Sequence, residues 1–347
     1  MAVTPVCEIL RRVILKAQTS PRRVVFPEGE QEKVLQACRI LVEEKIAEPI
    51  LLGDEPTIQA RATQLGIVLA GMQIEDPDSS PWKTAYVPEL YRLRSRHGVT
   101  LFQAQELIRD RNAFGCMMVH MGDADALVSG INQNYPDALR PVLQIIKLQP
   151  GTRRASGLFL LVTRSGELYF LADTTVNIDP SSEDLAEITL STAQQARRFG
   201  VTPRAALLSF SNFGSTRHPS CEKVRRALEL VHQEDPELVV DGEMQAETAV
   251  LPKLLQESYP FSALKGGANV LIFPDLQSGN IAYQLLARLG EATAIGPVLM
   301  GMSQPVHVLQ RGAEVEDIVN VAALAVVDAQ EVAARIPPAA KFAPAAA

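Results

Sequence analysis

A short polar loop in the second half of the sequence has the composition of an anion-binding site. It follows an apolar run that begins at Ala205 and precedes a helical segment that starts at Glu222. Its small polar residues are Ser209, Ser211, Asn212, Gly214 and Ser215. Such residues ahead of a helix N-terminus direct several backbone N–H groups toward an anion. The alternative interpretation is an ordinary capped helix, in which the same residues serve the helix start alone.

An arginine and a carboxylate near the end of the chain form a second candidate site. Arg311 precedes Gly312, and Asp317 falls in the first turn of an apolar helical pattern that runs to Val327. A guanidinium and a carboxylate separated by one turn can converge on a single substrate. The structural alternative is that Asp317 favours the helix dipole while Arg311 is a solvated loop residue.

Several common sites are absent from the sequence. It contains neither the G-x-x-x-x-G-K-[ST] nor the G-x-G-x-x-G pattern, so an ordinary nucleotide-binding loop is not expected. The five histidines have no partner at metal-ligand spacing, and no metal site is predicted. The G-x-S-x-G pattern of serine hydrolases is also missing.

The charge balance argues against a nucleic-acid partner. Lys and Arg total 33 against 40 Asp and Glu, which gives a formal net charge of -7. Nucleic-acid affinity comes from many cationic contacts with phosphates, and an acidic chain does not favour them. A small anionic substrate is compatible with this composition where arginines cluster locally.

The sequence predicts a soluble cytoplasmic protein that does not associate with membranes. No stretch approaches the about 20 apolar residues that a membrane-spanning helix requires. Charges interrupt the N-terminal region, which does not resemble a signal peptide. The cysteines are far apart and are predicted to be free thiols in a reducing compartment: Cys7, Cys38, Cys116 and Cys221.

Short apolar runs alternate with helical patterns along most of the chain. After the first run, Val34, Leu35, Cys38 and Leu41 recur at helical spacing. The predicted strands are residues 23–26, 49–52, 126–128, 205–210, 238–240 and 269–273. Strands that alternate with helices predict βαβ units, and hence an α/β fold with mostly parallel sheets covered by helices on both faces.

The length of the chain predicts more than one domain. A sequence of 347 residues exceeds the usual size of one hydrophobic core. Two breaks are candidate junctions, one at Pro150-Gly151 after a helical segment and one at Gly296-Pro297 within an apolar passage. The sequence shows no internal repeat that would divide it further.

Several long segments carry a resemblance to one family. They are RRVVFPEGE at 22–30, RPVLQIIK at 140–147, ANVLIFPDL at 268–276, GNIAY at 279–283 and VVDAQ at 326–330. In order and spacing these segments resemble the phosphate acetyltransferases and the related C-terminal domain of NADP-dependent malic enzymes. The resemblance covers nearly the whole chain.

The resemblance implies a particular domain arrangement. Two α/β/α domains of the isopropylmalate-dehydrogenase type are expected, with an interdomain cleft that takes the CoA thioester. The first domain would comprise residues 1–149 together with 297–347, and the second residues 150–296. The second domain would form a homodimer. No tightly bound cofactor is implied.

The resemblance also implies a reaction, in which acetyl-CoA and phosphate give acetyl phosphate and CoA. The family's catalytic arginine and aspartate match Arg311 and Asp317. Asp317 would accept the thiol proton of CoA as a general base. Arg311 would stabilise the charge that develops on the carbonyl oxygen. Two further family arginines, which hold the anionic substrates through bidentate contacts, match Arg94 and Arg140.

Two departures from the family pattern favour an alternative function. Gln310 stands where active transferases carry a serine, although its amide can still donate a hydrogen bond to a carbonyl oxygen. In the loop from Ser209 to His218, Phe213 and the pair Arg217-His218 stand where the family has small phosphate-cradling residues. Both departures resemble the malic-enzyme domain. The alternative to a transferase is therefore a catalytically silent acetyl-CoA-sensing domain, whose partner would be a malic-enzyme catalytic domain.

Overall fold

The computed structural model describes residues 5–335, which separate into two compact units. The central unit is Leu148–Met302 with residues 5–10, and the terminal unit is Arg11–Lys147 with the described residues from Ser303 on. The last residues of the predicted first domain, 336–347, lie outside the described residues, as do residues 1–4.

Eleven strands and thirteen α-helices occur among residues 5–335. The strands are β1 Arg23–Phe26, β2 Glu48–Leu52, β3 Gln73–Glu75, β4 Ala126–Ser129, β5 Ser156–Val162, β6 Leu168–Ala172, β7 Arg204–Leu208, β8 Val239–Met244, β9 Val270–Ile272, β10 Thr293–Met300 and β11 Val306–Val308. The helices are α1 Pro5–Gln18, α2 Glu32–Glu43, α3 Glu55–Leu65, α4 Lys83–Arg94, α5 Leu101–Leu107, α6 Arg111–Met121, α7 Tyr135–Ile145, α8 Ser182–Arg198, α9 Pro219–Glu234, α10 Ala246–Val250, α11 Pro252–Ser258, α12 Leu276–Arg288 and α13 Val315–Arg335.

The terminal unit is built on a five-stranded sheet in the order β11-β4-β1-β2-β3. All its strand pairs are parallel. The β1 and β4 strands are nearly continuous apolar runs, because helices cover both faces of the sheet. In one layer α2 packs with α13, and in another α6 packs with α7. Since the strands are parallel, the segments that follow β1, β4 and β11 meet at one edge of the sheet.

The central unit is built on a six-stranded sheet in the order β10-β5-β6-β9-β7-β8. The strands β6, β9, β7 and β8 are parallel, whereas β5 pairs antiparallel with β10 and β6. Its core includes the stacked rings of Phe159 and Tyr283, whose centroids are 4.2 Å apart. The predicted α/β class with mostly parallel sheets is confirmed.

The Gly296-Pro297 break has a local explanation in this sheet. The register between β10 and β5 shifts between Ile295 and Val298, which is the position of a β-bulge on an edge strand. Proline is tolerated at such a position because no ladder hydrogen bond is lost. The strand continues to Met300 within the central unit, whereas the prediction places a domain boundary at 296/297.

The sequence prediction omits β3, β5, β6, β10 and β11. Two of these, β3 and β11, are three residues long and leave little periodic signal. The other three form an antiparallel arrangement, which lies outside the alternation of strand and helix on which the prediction depends. Among the described helices, none combines the length and apolar character needed to cross a membrane.

Candidate active site

The turn that connects β11 to α13 contains Gln310 and Arg311 and is fastened to the segment after β4. The Leu309 N–H donates to the Ser129 carbonyl at 2.6 Å, and the Gly312 N–H donates to the Ile131 carbonyl at 3.0 Å. Gly130 has φ +104°, and a Cβ atom there would lie 2.7 Å from the Leu309 carbonyl oxygen. Glycine is therefore required for the two backbones to approach this closely.

Arg311 is exposed at this turn. Its guanidinium makes no hydrogen bond or ion pair with any other residue of the described range 5–335. Gln310, the preceding residue, is half-buried, and its carbonyl accepts from the Ala313 N–H at 3.1 Å. Lys33 on α2 supports the far end of the turn, where its Nζ pairs with Glu314 at 2.8 Å. The arrangement leaves a cationic group available to an anionic substrate at the carboxyl edge of a parallel sheet.

Asp317 serves the start of α13 with one of its two oxygens. Its Oδ2 accepts a hydrogen bond from the Glu314 N–H at 2.8 Å, in the first turn of the helix. This bond satisfies one of the N–H groups that a helix start leaves without a partner. The other oxygen, Oδ1, has no hydrogen-bond partner among the described residues. The interpretation of Asp317 as a helix-start residue thus accounts for Oδ2. It leaves Oδ1 available to accept a proton from a substrate.

Glu28 is a buried carboxyl group at the same edge, directly after β1. It is 7% exposed, and its Oε1 accepts from the Gly130 N–H at 2.8 Å. Burial raises the pKa of Glu28 to about 7, and the hydrogen bond from Gly130 opposes this shift. Asp110 raises that pKa further and Arg111 lowers it. The sequence analysis did not assign Glu28 to a site, although a carboxylate two residues after an apolar strand is a usable signal.

Two further polar side chains are buried around this edge. The Ser129 hydroxyl and the Oδ1 atom of Asn112 are buried and have no hydrogen-bond partner among the described residues. The Asn112 amide nitrogen donates to Gln133 Oε1 at 2.9 Å. Buried polar atoms normally have partners, so unpaired ones mark places where water or a ligand completes the hydrogen bonding.

The predicted anion-binding arginines lie on two helices of the terminal unit. Arg94 ends α4, and its Nε is buried without a hydrogen-bond partner in the described chain. Arg140 on α7 is exposed and pairs with Asp137 at 3.2 Å, a contact of the exposed type that contributes little stability. No hydrogen bond or ion pair within residues 5–335 joins either arginine to the Arg311 turn.

The loop Ser209–Ser215 in the central unit surrounds a buried carboxylate. Glu243 on β8 is fully buried, and its Oε1 accepts from the Ser211 hydroxyl at 2.8 Å and from the Gly214 N–H at 2.8 Å. Arg225 on α9 donates to the same oxygen at 3.1 Å. The donors that the sequence suggested for an external anion are thus directed at an internal one.

The remaining polar groups of the loop are also engaged within the central unit. Ser215 Oγ lies 3.1 Å from Ser211 Oγ and accepts from the Asn212 N–H at 3.1 Å. The Asn212 side chain exchanges two hydrogen bonds with Gln245, at 3.0 and 2.8 Å. Ser209 Oγ accepts from the Ser211 N–H at 3.3 Å. These bonds shape the loop, and none of them is a helix cap.

The cap of the following helix is a residue that the sequence prediction did not assign. The helix α9 begins at Pro219 rather than at Glu222, and His218 is its N-cap. The His218 Nδ1 atom accepts from the Ser220 N–H at 3.2 Å. This contact satisfies one of the N–H groups that a helix start leaves without a partner.

Phe213, one of the departures from the family pattern, packs on the core of the central unit. Its φ of +46° is unusual for a residue with a side chain. Its ring lies 4.9 Å from the rings of Tyr259 and of Phe261. Phe261 is 69% exposed, so the cluster reaches the surface of the unit. The phenylalanine therefore has a packing role in this loop.

Comparison with known proteins gives one consistent family. The sequence model for "Phosphate acetyl/butaryl transferase" matches residues 8–326. A phosphate acetyltransferase of Bacillus subtilis (strain 168) is 41% identical over 300 residues, which are 86% of this chain and 92% of that protein. An NADP-dependent malic enzyme of Escherichia coli (strain K12) is 42% identical over 326 residues, which are 92% of this chain and 43% of that protein.

Solved structures agree with the sequence comparison. A phosphotransacetylase from Streptococcus pyogenes has a TM-score of 0.88 and 39% identity, and the match covers 93% of this chain and 98% of that one. The EutD phosphotransacetylase from Staphylococcus aureus has a TM-score of 0.83 and 38% identity, over 94% of this chain and 98% of that one. The predicted resemblance is confirmed: the chain belongs to the phosphate acetyl/butaryl transferase family.

Proposed function

We propose that this protein is a phosphate acetyltransferase, which transfers an acetyl group between CoA and phosphate. The observation that carries the proposal is the match to a phosphate acetyltransferase over 92% of that relative's own length. The match to the malic enzyme of Escherichia coli covers 43% of that protein. The family model over residues 8–326 and the likeness to two solved phosphotransacetylases support turnover over the alternative, a silent acetyl-CoA-sensing domain.

The proposed chemistry uses the turn between β11 and α13. In the direction of acetyl-CoA synthesis, Asp317 Oδ1 accepts the thiol proton of CoA, and the sulfur forms a bond to the acetyl carbon. The bond from that carbon to the phosphate oxygen then breaks, and phosphate leaves with its electron pair. Arg311 stabilises the negative charge on the carbonyl oxygen, and Gln310 donates a hydrogen bond to it. The exposed Arg311, which has no ion-pair partner among residues 5–335, supports this assignment.

The proposed substrates are acetyl-CoA and phosphate, with no tightly bound cofactor. Arg94 and Arg140 are proposed to hold phosphate oxygens. The buried Arg94 Nε has no hydrogen-bond partner in the described part of the chain, which supports an acceptor there. The contribution of Ser209, Ser211, Asn212, Gly214 and Ser215 to CoA binding stays a prediction. Regulation of a malic-enzyme catalytic domain belongs to the alternative function.

A homodimer and a cytoplasmic location are proposed on the same resemblance. On α12 the side chains of Ile281, Leu285 and Leu286 are exposed. Leu289, the C-cap residue directly after the helix, is exposed as well. Residues at this spacing share one face of a helix. An apolar stripe of this kind can pack against the same stripe of a second copy about a two-fold axis, which supports a dimer formed through the central unit.

The experiment that tests the function is thiol release from acetyl-CoA with and without phosphate, beside calorimetric titration of acetyl-CoA. Asp317→Asn is an informative variant, because its amide oxygen can still accept from the Glu314 N–H while it no longer serves as a base. Glu316→Gln, at the exposed neighbouring acid, is the matched control. Phosphate-dependent release that Asp317→Asn abolishes supports the transferase. Acetyl-CoA binding without release would establish the sensing domain instead.

A further inference from the structure

Glu28 occupies a fixed place at the carboxyl edge of the terminal sheet. The next residue, Gly29, donates its N–H to the Leu52 carbonyl at 3.2 Å, and a Cβ on Gly29 would lie 2.8 Å from that oxygen. The backbone after β1 is thereby held against β2. The Glu28 side chain is buried and its Oε1 accepts from the Gly130 N–H at 2.8 Å. The carboxyl group is a rigid acceptor for the segment after β4.

That segment in turn holds the Arg311 turn. Residues on either side of Gly130 accept from the turn: Ser129 from the Leu309 N–H at 2.6 Å, and Ile131 from the Gly312 N–H at 3.0 Å. Gly130 is therefore hydrogen-bonded to Glu28, and its two neighbours, Ser129 and Ile131, are hydrogen-bonded to the turn. Displacement of Gly130 would be transmitted to the backbone on both sides of Arg311.

We propose that Glu28 is a positioning residue for Arg311, which acts through the backbone of residues 129–131. The Arg311 guanidinium has no partner of its own within the described chain, so the position of its backbone decides where the charge lies. The role of Arg311 toward the substrate is taken from the proposed function, and the inference rests on it in that respect. The chain of hydrogen bonds from Glu28 through residues 129–131 to the Arg311 turn can be tested without turnover.

The kinetic test compares Glu28→Ala and Glu28→Gln with the unchanged chain in the thiol-release assay. We expect Glu28→Ala to lower kcat about tenfold, because a small misplacement of a catalytic group is costly. We expect the KM for acetyl-CoA to stay within about twofold, since the variant leaves every proposed CoA contact in place. Glu28→Gln should restore kcat, because its amide oxygen can accept from the Gly130 N–H. Equal losses in Glu28→Gln and Glu28→Ala would overturn the proposal.

A double-mutant cycle separates positioning from general damage. When Arg311 is already replaced by alanine, Glu28→Ala should change kcat by less than about twofold, because the two residues act on one step. A full tenfold further loss in the Arg311→Ala background would overturn the proposal. If Glu28→Ala does not fold, Glu28→Asp takes its place, since the shorter side chain withdraws the acceptor from Gly130 and should show the same loss.

Amide hydrogen exchange tests the relay even if the chain transfers no acetyl group. In Glu28→Ala or Glu28→Asp, exchange at the Gly130, Leu309 and Gly312 amides should rise about tenfold or more. The control is Asp54→Ala, which removes a carboxylate that caps α3 at the same edge without touching either segment. That control should leave those three amides unchanged. Unchanged exchange at Leu309 and Gly312 in the Glu28 variants would overturn the proposal, whereas absence of transfer by the unchanged chain would overturn the proposed function alone.

Discussion

Two loops of this protein follow parallel strands and contain residues that suggest anion binding, yet they use their polar groups differently. In the central unit, Ser211 and Gly214 donate to the buried carboxylate of Glu243. In the terminal unit, hydrogen bonds from the Leu309 and Gly312 N–H groups hold the turn against residues 129–131, and Arg311 stays exposed. The first loop is closed on itself, and the second presents a charge. Polar composition alone therefore does not show which donors are available to a ligand, because long-range pairing decides which of them are already engaged.

The two units also contain buried carboxylates in contrasting surroundings. Glu243 receives a hydrogen bond from the Arg225 guanidinium, a charged donor, at Oε1, while its Oε2 atom is buried without a hydrogen-bond partner among the described residues. Glu28 receives the Gly130 N–H but no side-chain donor among the described residues, and burial raises its pKa to about 7. A neutral N–H offsets less of the desolvation cost than a paired cation does. The first carboxylate accepts the hydrogen bonds that shape a loop, and the second has a pKa raised by burial.

The largest expected effect is a loss of acetyl-transfer activity when the arginine of the terminal-unit turn is removed. Arg311→Ala should lower kcat for acetyl transfer by about 10² to 10³, or about 3 to 4 kcal/mol, as expected when a donor to a developing negative charge is removed. The free energy of unfolding should change by less than about 0.5 kcal/mol, because the side chain is exposed. Thiol release and urea unfolding measure the two quantities. The control is Arg61→Ala, at another exposed arginine. If kcat of Arg311→Ala stays within about threefold of the unchanged chain, Arg311 does not belong to the site.

Glu243→Ala should break the closed loop. Removal of the carboxylate leaves Ser211, Gly214 and Arg225 without their shared acceptor, and we expect the free energy of unfolding to fall by about 3 kcal/mol. The expected value is at the lower end for a buried ion pair, because Arg225 is 33% exposed and is partly hydrated. Urea unfolding measures the loss. A loss below about 1 kcal/mol would show that the loop does not depend on this acceptor.

Glu28→Gln should remove a pH dependence from the terminal unit. The pKa of Glu28 is raised from 4.5 to about 7 on folding, so the folded protein holds this proton more tightly than the unfolded chain does. The group's contribution to stability is therefore present below about pH 4.5 and is lost as the pH rises through about 7. Between about pH 5 and pH 8, the unfolding free energy of Glu28→Gln should rise by about 2 kcal/mol relative to the unchanged chain.

Chemical unfolding across that pH range measures the Glu28 effect. The charged groups that bear on Glu28 are Asp110 and Arg111, and neither is altered by the substitution. Glu32→Gln, at the exposed acid in the first turn of α2, is the control and should show the same pH dependence as the unchanged chain. Parallel pH curves for Glu28→Gln and the unchanged chain would show that Glu28 is already ionised when folded.

The smallest expected effect tests whether the closed loop also contacts substrate. Ser215→Ala removes a hydroxyl that bonds Ser211 and the Asn212 N–H, and we expect a loss of about 1 kcal/mol in unfolding free energy. Ser215 is exposed, so the KM for acetyl-CoA decides whether its hydroxyl only shapes the loop, in which case the KM stays within about twofold. A rise in KM of about tenfold would instead assign Ser215 to the CoA site and make the two loops alike.

Much about this protein follows from its sequence. Apolar runs that alternate with helical patterns predict the α/β class, because parallel strands buried on both faces must be continuously apolar. Long segments such as RRVVFPEGE at 22–30 predict the family. The neighbourhood of Arg311 and Asp317 is also visible, since both residues lie within one short stretch between a strand and a helix.

The tertiary structure decided which polar groups are free. Ser211 meets Glu243 across 32 residues of sequence, and Gly130 meets Glu28 across 102. Such pairs leave no periodic signal, because the partners lie on or after different strands and come together only when the sheets form. The Gly296-Pro297 break likewise becomes a bulge only once β10 pairs with β5. Local composition determined where the loops are, and long-range pairing determined that one of them is closed and the other presents its arginine.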